Sequence, residues 1–249
     1  MPARTAPMLL RLLHPPHRRN FRWLAILALL LALAPSAGAT GARAADPPPA
    51  EVSSPAWEQD IRRFAEADAG TPPPQGAVLF VGSSSIRLWD SLAEDFPGTA
   101  VVNRGFGGSE IRDSTWYADR IVIPHAPRTV VLYAGENDLA SGRTPEQVRA
   151  DFRAFVERVR RDLPDARIVF IAMKPSPSRA PLLESVRQAN ALVRDEASRW
   201  KDVAFVDVFT PMLGPDGQGR PELFGEDRLH MNARGYALWR DIVAPAIAR

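Results

Sequence analysis

The stretch FVGSSSIRLW, from Phe80 to Trp89, sets a glycine and three serines directly after an apolar run. A serine hydroxyl is a weak nucleophile at neutral pH and needs a neighbouring base. Beyond the first 44 residues the chain has two histidines, His125 and His230. His125 stands in IPHAPRT, a proline-flanked stretch leading into another apolar run. His230 closes DRLH, three residues after Asp227. In a tight turn that spacing can bring the Asp227 carboxylate to Nδ1 of His230. The acid would fix the tautomer and leave Nε2 free for a serine. Acyl transfer also needs donors for the developing oxyanion. The glycine-rich NRGFGGSEI, Asn103 to Ile111, offers unobstructed backbone N–H groups, and Asn137 in AGEND offers a side-chain amide. These residue types point to nucleophilic acyl chemistry and leave open which serine attacks.

Short, continuously apolar runs alternate with amphipathic ones from Ala77 onward. AVLFV (Ala77 to Val81), AVVN (Ala100 to Asn103), TVVLYA (Thr129 to Ala134), RIVFIAM (Arg167 to Met173) and VAFVDV (Val203 to Val208) read as strands covered on both faces. TPEQVRADFRAFVERVRRDLP reads as a helix with Thr144 as N-cap and Pro145 at its first position. LLESVRQANALVRDEASRW is a second helix, and NARGYALWRDIVAPAIA a third, capped by Asn232. A short amphipathic helix is expected from Trp57 to Ala65. The alternation predicts an α/β fold: a three-layer α/β/α sandwich around a five-stranded parallel sheet. The functional crevice of such sheets lies beyond the carboxyl ends of the strands. The blocks after the first three strands, and DRLH before the last helix, can meet at that edge. His125 belongs to the opposite edge and reads as a structural or surface residue.

The four ordered blocks GSS, NRGFGG, GEND and DRLH resemble those of the SGNH, or GDSL-type, serine hydrolases. The resemblance spans about residues 77 to 245 and implies a flavodoxin-like strand order. It implies Ser84 as nucleophile, His230 as base and Asp227 as its acidic partner. It also implies an oxyanion hole made of the Ser84 and Gly108 backbone N–H groups and the Asn137 side chain. Ser83 stands where the family has aspartate, which is not a triad member, so a different local hydrogen bonding is expected there. YAGENDLASG and KPSPSR are similar to a bacterial subgroup whose first block is Gly-Ser-Ser. Ser85 is expected to open the following helix and satisfy its free N–H groups.

The 249 residues carry 31 basic and 29 acidic side chains and no cysteine. The first 44 hold six arginines and no acid, with an apolar run from Trp23 to Ala34 and A-x-A patterns ending at Ala39 and Ala44. That layout reads as a signal peptide over 1–44, hence an exported protein, periplasmic or secreted. The apolar run is shorter than the ~20 residues of a spanning helix, and an uncleaved membrane anchor is the alternative. Residues 45–56, ADPPPAEVSSPA, read as a proline-rich linker, and 57–249 as the hydrolase domain. Without the first 44 residues 25 basic face 29 acidic side chains, which offers no surplus for nucleic acid. With two distant histidines and no cysteine, no metal or other cofactor is expected.

The expected function is a serine esterase for short acyl or acetyl groups, with a small-molecule or glycan ester as its partner. No long apolar insertion suggests a lipid-binding lid. The alternatives are a glycan O-acyltransferase, which would use the same acyl-enzyme, a lysophospholipase or thioesterase, and a non-catalytic carbohydrate-binding module. Trp89, Trp116 and Tyr117 are candidates for a sugar site or for the core, and Lys174 and Arg179 for the crevice rim or for solvated loop charges.

Overall fold

A computed structural model describes residues 52–248. The signal-peptide expectation and most of the linker fall outside the described residues. In chain order the elements are α1 (Trp57–Gly70), β1 (Val78–Gly82), α2 (Ser84–Arg87), α3 (Leu92–Asp95) and β2 (Val101–Gly105). Then come α4 (Ile111–Trp116), α5 (Ala118–Ile121), β3 (Thr129–Tyr133), α6 (Glu136–Ala140) and α7 (Pro145–Asp162). β4 (Arg167–Ile171), α8 (Leu183–Ala197), β5 (Val203–Val206) and α9 (Ala233–Ile247) complete them.

All strand pairs are parallel, in the order β2-β1-β3-β4-β5. This is the expected five-stranded sheet in flavodoxin-like order. The chain reverses its direction of winding between β1 and β3, so the crevice belongs outside those two carboxyl ends. Side chains alternate across a strand, and the register therefore sorts them by face. Phe80 pairs with Val131, and Tyr133 shares their face. Phe80 meets Trp89 and Phe96, while Tyr133 meets Trp239 of α9. Phe170 faces the other way, meets Phe152 of α7 edge to face and stacks with Phe205. Helices thus cover both faces of the sheet.

The long helices begin as their sequences require. Thr144 Oγ1 accepts from the Gln147 N–H and the Gln147 side chain returns a bond to the Thr144 N–H, closing a capping box. Asn232 Oδ1 accepts from the N–H groups of Arg234 and Gly235.

Four expectations are corrected. β1 and β2 run on to Gly82 and Gly105, which pair with each other, so the two strands end level. β4 stops short of Met173, whose N–H turns to the Asn190 side chain at 2.9 Å. β2 and β5 are sheet edges with half-buried positions, not strands covered on both faces. Ser85 does not open a helix: α2 begins at Ser84, Ser83 is its N-cap without a side-chain bond, and Ser85 is buried. At the linker's end, Ser53 is bonded to the body, its N–H donating to Asp113 at 2.8 Å. Among the described residues no helix is long and apolar enough to cross a membrane.

Candidate active site

β1 ends in Gly82, whose φ of 132° and contact with β3 exclude a side chain. A Cβ there would stand 1.9 Å from the Tyr133 carbonyl oxygen. The chain can therefore leave β1 hard against β3 and turn at once into α2. Ser84 takes the first position of α2, at the sheet's switch point. Tyr236 of α9 donates to the Ser85 carbonyl at 3.0 Å and ties the last helix to this turn.

His230 Nε2 lies 2.9 Å from Ser84 Oγ. His230 Nδ1 lies 2.6 Å from Asp227 Oδ2. The other carboxylate oxygen accepts the Leu229 and His230 N–H groups, each at 2.9 Å. Those two backbone bonds, then the bond to His230, draw the Asp227 carboxyl down to about 2. It is ionised at any pH where the imidazole can act as a base. Arg228 adopts a left-handed conformation, φ 56°, between Asp227 and Leu229. That bend returns the chain so that one aspartate holds both the turn and the imidazole.

Gly108 (φ 86°) brings its amide to the same cleft. Neither the Ser84 nor the Gly108 N–H donates to another described residue. Asn137 Nδ2 donates to the Ser109 carbonyl at 3.0 Å, which leaves its second amide hydrogen free. Its Oδ1 accepts from Arg179 at 2.8 Å, and this sets which way the amide faces. The structure thus gathers Ser84, Gly108, Asn137, Asp227 and His230, all five site residues expected from the sequence. The cleft measures about 420 Å³ and is lined by Asp60, Ser84, Arg87, Gly107, Gly108, Asn137, Arg179, Leu229 and His230.

A charged cluster lies beneath the site. Glu136 accepts from Lys174 and Tyr133 on one oxygen and from Ser176 at 2.6 Å on the other. Burial pushes the Glu136 carboxyl up, but Lys174, Arg179 and the hydrogen bonds from Lys174 and Ser176 outweigh it and hold it low. Burial lowers the Lys174 ammonium against the pull of Glu136. Lys174 is 2% exposed, so it is neither a rim residue nor a solvated loop charge, whereas Arg179 does reach the rim. Trp89 and Tyr117 are core, and Trp116 is exposed. His125 is buried at the far end of β3 beside Asp68 and Arg104. Asp138, after Asn137, accepts the Ile111 N–H at 3.1 Å and so helps seat α4, and burial pushes its carboxyl up to about 7.

Sequence reasoning missed Asp60, Arg87 and Glu136. Arg87 had a usable signal, since three residues past Ser84 on a helix is the same face. Asp60, on a helix far ahead of the serine block, had none.

The GDSL-like lipase/acylhydrolase family matches residues 70–238. The chain belongs to this family. As a GDSL-like acylhydrolase it is an ester-hydrolysing enzyme. It is 30% identical over 186 residues to human platelet-activating factor acetylhydrolase IB subunit alpha1, covering 72% of this chain and 78% of that protein. Among solved structures it is similar to a GDSL-like lipase from Bacteroides thetaiotaomicron, with a TM-score of 0.64 and 20% identity over 76% of this acylhydrolase and 97% of that chain. It is also similar to a catalytic mutant of Axe2, an acetylxylan esterase from Geobacillus stearothermophilus, with a TM-score of 0.56 and 16% identity over 70% and 95%. At those identities the structural likeness is one of fold.

Proposed function

We propose that this acylhydrolase is an exported serine esterase that removes short acyl groups, acetyl foremost, through a Ser84–His230–Asp227 triad. The observation that carries the reading is the unbroken chain from Ser84 Oγ through His230 to Asp227, at 2.9 and 2.6 Å, beside free N–H donors. Ser84 Oγ attacks the ester carbonyl carbon while His230 Nε2 takes its proton. The carbonyl π electrons move onto oxygen, toward the Ser84 and Gly108 N–H groups and the Asn137 amide. The tetrahedral intermediate collapses, the carbon–alkoxide bond breaks, and His230 returns the proton to the departing alcohol. Water then attacks the acyl-serine with His230 again as base, releasing the carboxylic acid and restoring Ser84.

Support for a short acyl group comes from the lining, in which Leu229 is the sole apolar side chain. A long acyl chain would meet one apolar side chain in this lining. The human relative is named an acetylhydrolase and Axe2 an acetylxylan esterase. The polar rim suits a hydroxylated alcohol such as a sugar. Export is supported by the basic and then apolar N-terminal segment.

A p-nitrophenyl ester series from acetate to octanoate tests the acyl preference. The expected kcat/KM is highest for acetate and falls at least about tenfold by octanoate, the scale of a few misplaced methylenes. An optimum at octanoate would overturn the short-acyl assignment.

Asp227→Asn is expected to lower kcat by about a hundredfold. A fully enclosed triad acid is worth about 10⁴ by this change, because the wrong tautomer is then held. The Asp227 side chain is 51% exposed, and water can partly replace it. Steady-state kinetics on the acetate ester give the comparison, and an unchanged kcat would remove Asp227 from the triad.

A further inference from the structure

The family match begins at residue 70, whereas α1 starts at Trp57. The residues ahead of the match nevertheless reach the glycine turn of the site. Asp113, wholly buried in α4, accepts the Glu110 N–H at 2.7 Å and the Ser53 N–H at 2.8 Å. It also accepts the Ser53 hydroxyl and, at 3.2 Å, the Trp57 indole N–H. The indole N–H lies 2.9 Å from Ser53 Oγ as well. A ring held this way has one orientation. It meets Phe106 edge to face at 5.8 Å and lies against Gly108, where a Cβ would stand 3.1 Å from its Cη2. Along the same helix, Ile61 is buried, Glu58 pairs with Arg120 at 2.7 Å, and Asp60 borders the cleft.

The Phe106–Ser109 turn is tied at its ends, by the Ser109 hydroxyl donating to the Phe106 carbonyl at 2.8 Å and by Asn137 Nδ2 donating to the Ser109 carbonyl, but these bonds do not hold its middle. Gly107 and Gly108 contribute no side chains, and the backbone bond across the turn, Ser109 N–H to the Phe106 carbonyl, is long at 3.4 Å. We propose that Trp57, fixed by Ser53 and Asp113, is a positioning residue: it braces this turn so that the Gly108 N–H stays aimed at the developing oxyanion. The proposal rests on the triad reading of Ser84. An N–H that bonds more strongly to the tetrahedral intermediate than to the bound ester acts on kcat, not on KM. It follows that N-terminal processing that leaves full activity must stop before Ser53.

The test uses point variants of the full chain on an acetate ester. Trp57→Ala is expected to lower kcat about tenfold to a hundredfold, short of the ~10²–10³ lost when a donor is removed outright, with KM nearly unchanged. Trp57→Phe keeps a ring against Gly108 and should restore most of that loss. Ser53→Ala loosens the indole and should fall between wild type and Trp57→Ala. The rate of covalent capture of Ser84 by a phosphonate, whose P–O group occupies the oxyanion position, should fall in parallel with kcat. A Trp57→Ala enzyme with wild-type kcat overturns the proposal, as does one that changes only KM. Should Trp57→Ala fail to fold, Ser53→Ala decides: an undiminished kcat there overturns it. Failure of the triad reading would show differently, as a Ser84→Ala enzyme that still turns over.

Discussion

Ser84→Ala is expected to lower kcat for acetate-ester hydrolysis at least about 10⁴-fold, with thermal unfolding almost unchanged. The hydroxyl's hydrogen bond is to His230, at the half-open edge of the site, so its loss leaves no new cavity in the core. Residual turnover should come from the oxyanion donors and His230 acting on water. His230→Ala should cost a similar factor, and the double variant little more, because nucleophile and base act as one unit. A phosphonate reagent separates Ser84 from its neighbours. Ser83 and Ser85 are 4% and 1% exposed, so the labelled peptide should carry the adduct at Ser84 alone. Wild-type activity in Ser84→Ala, or an adduct at Ser83 or Ser85, would refute the nucleophile assignment.

Ser84, Gly108 and Asn137 of the candidate site were legible in the sequence because each follows a strand, and strands buried in the middle of a parallel sheet are continuously apolar. β1 and β3 stand out for that reason, and their carboxyl ends carry Ser84 and Asn137. Asp227 and His230 were legible through spacing alone, since one tight turn suffices to join them. β2 and β5 were placed less well. As edge strands they are only partly buried, and their ends are set by Gly105 meeting Gly82 and by the chain turning away after Val206. Ser53 and Trp57 were not legible as part of the site. Their anchor is the carboxylate of Asp113, 60 and 56 residues away, which in sequence looks like an ordinary helix-start acid. Lys174 was read as a rim residue or a loop charge because a lysine after a strand is usually exposed. Its burial is explained only by Glu136, 38 residues earlier, inside a block whose asparagine had drawn the reading.

Lys174→Met is expected to destabilise the fold by about 3–5 kcal/mol, the cost of leaving one partner of a buried ion pair unpaired. Glu136 would keep the Tyr133 and Ser176 hydroxyls and Arg179 at 3.8 Å, but no ammonium. With Lys174 gone, burial would dominate and raise the Glu136 carboxyl above its unfolded value. A carboxyl raised in the folded state contributes stability fully present below the unfolded pKa and lost as pH rises through the folded one. The variant's deficit should therefore be smaller at pH 5 than at pH 8. Adding Glu136→Gln removes the stranded charge, and the double variant should regain at least about half of the lost stability, since neutral replacements of buried pairs are often tolerated. Denaturant midpoints at the two pH values check both statements. A double variant as unstable as the single one would show that the pair is not held by charge compensation. Activity should not follow stability back. Glu136 also faces Arg179, and Arg179 sets the Asn137 amide at 2.8 Å. A neutral amide in place of the Glu136 carboxylate has no charge to hold that guanidinium, so the double variant should refold well and still turn over acetate esters slowly. That separation distinguishes a pair retained for stability from one retained to aim an oxyanion donor.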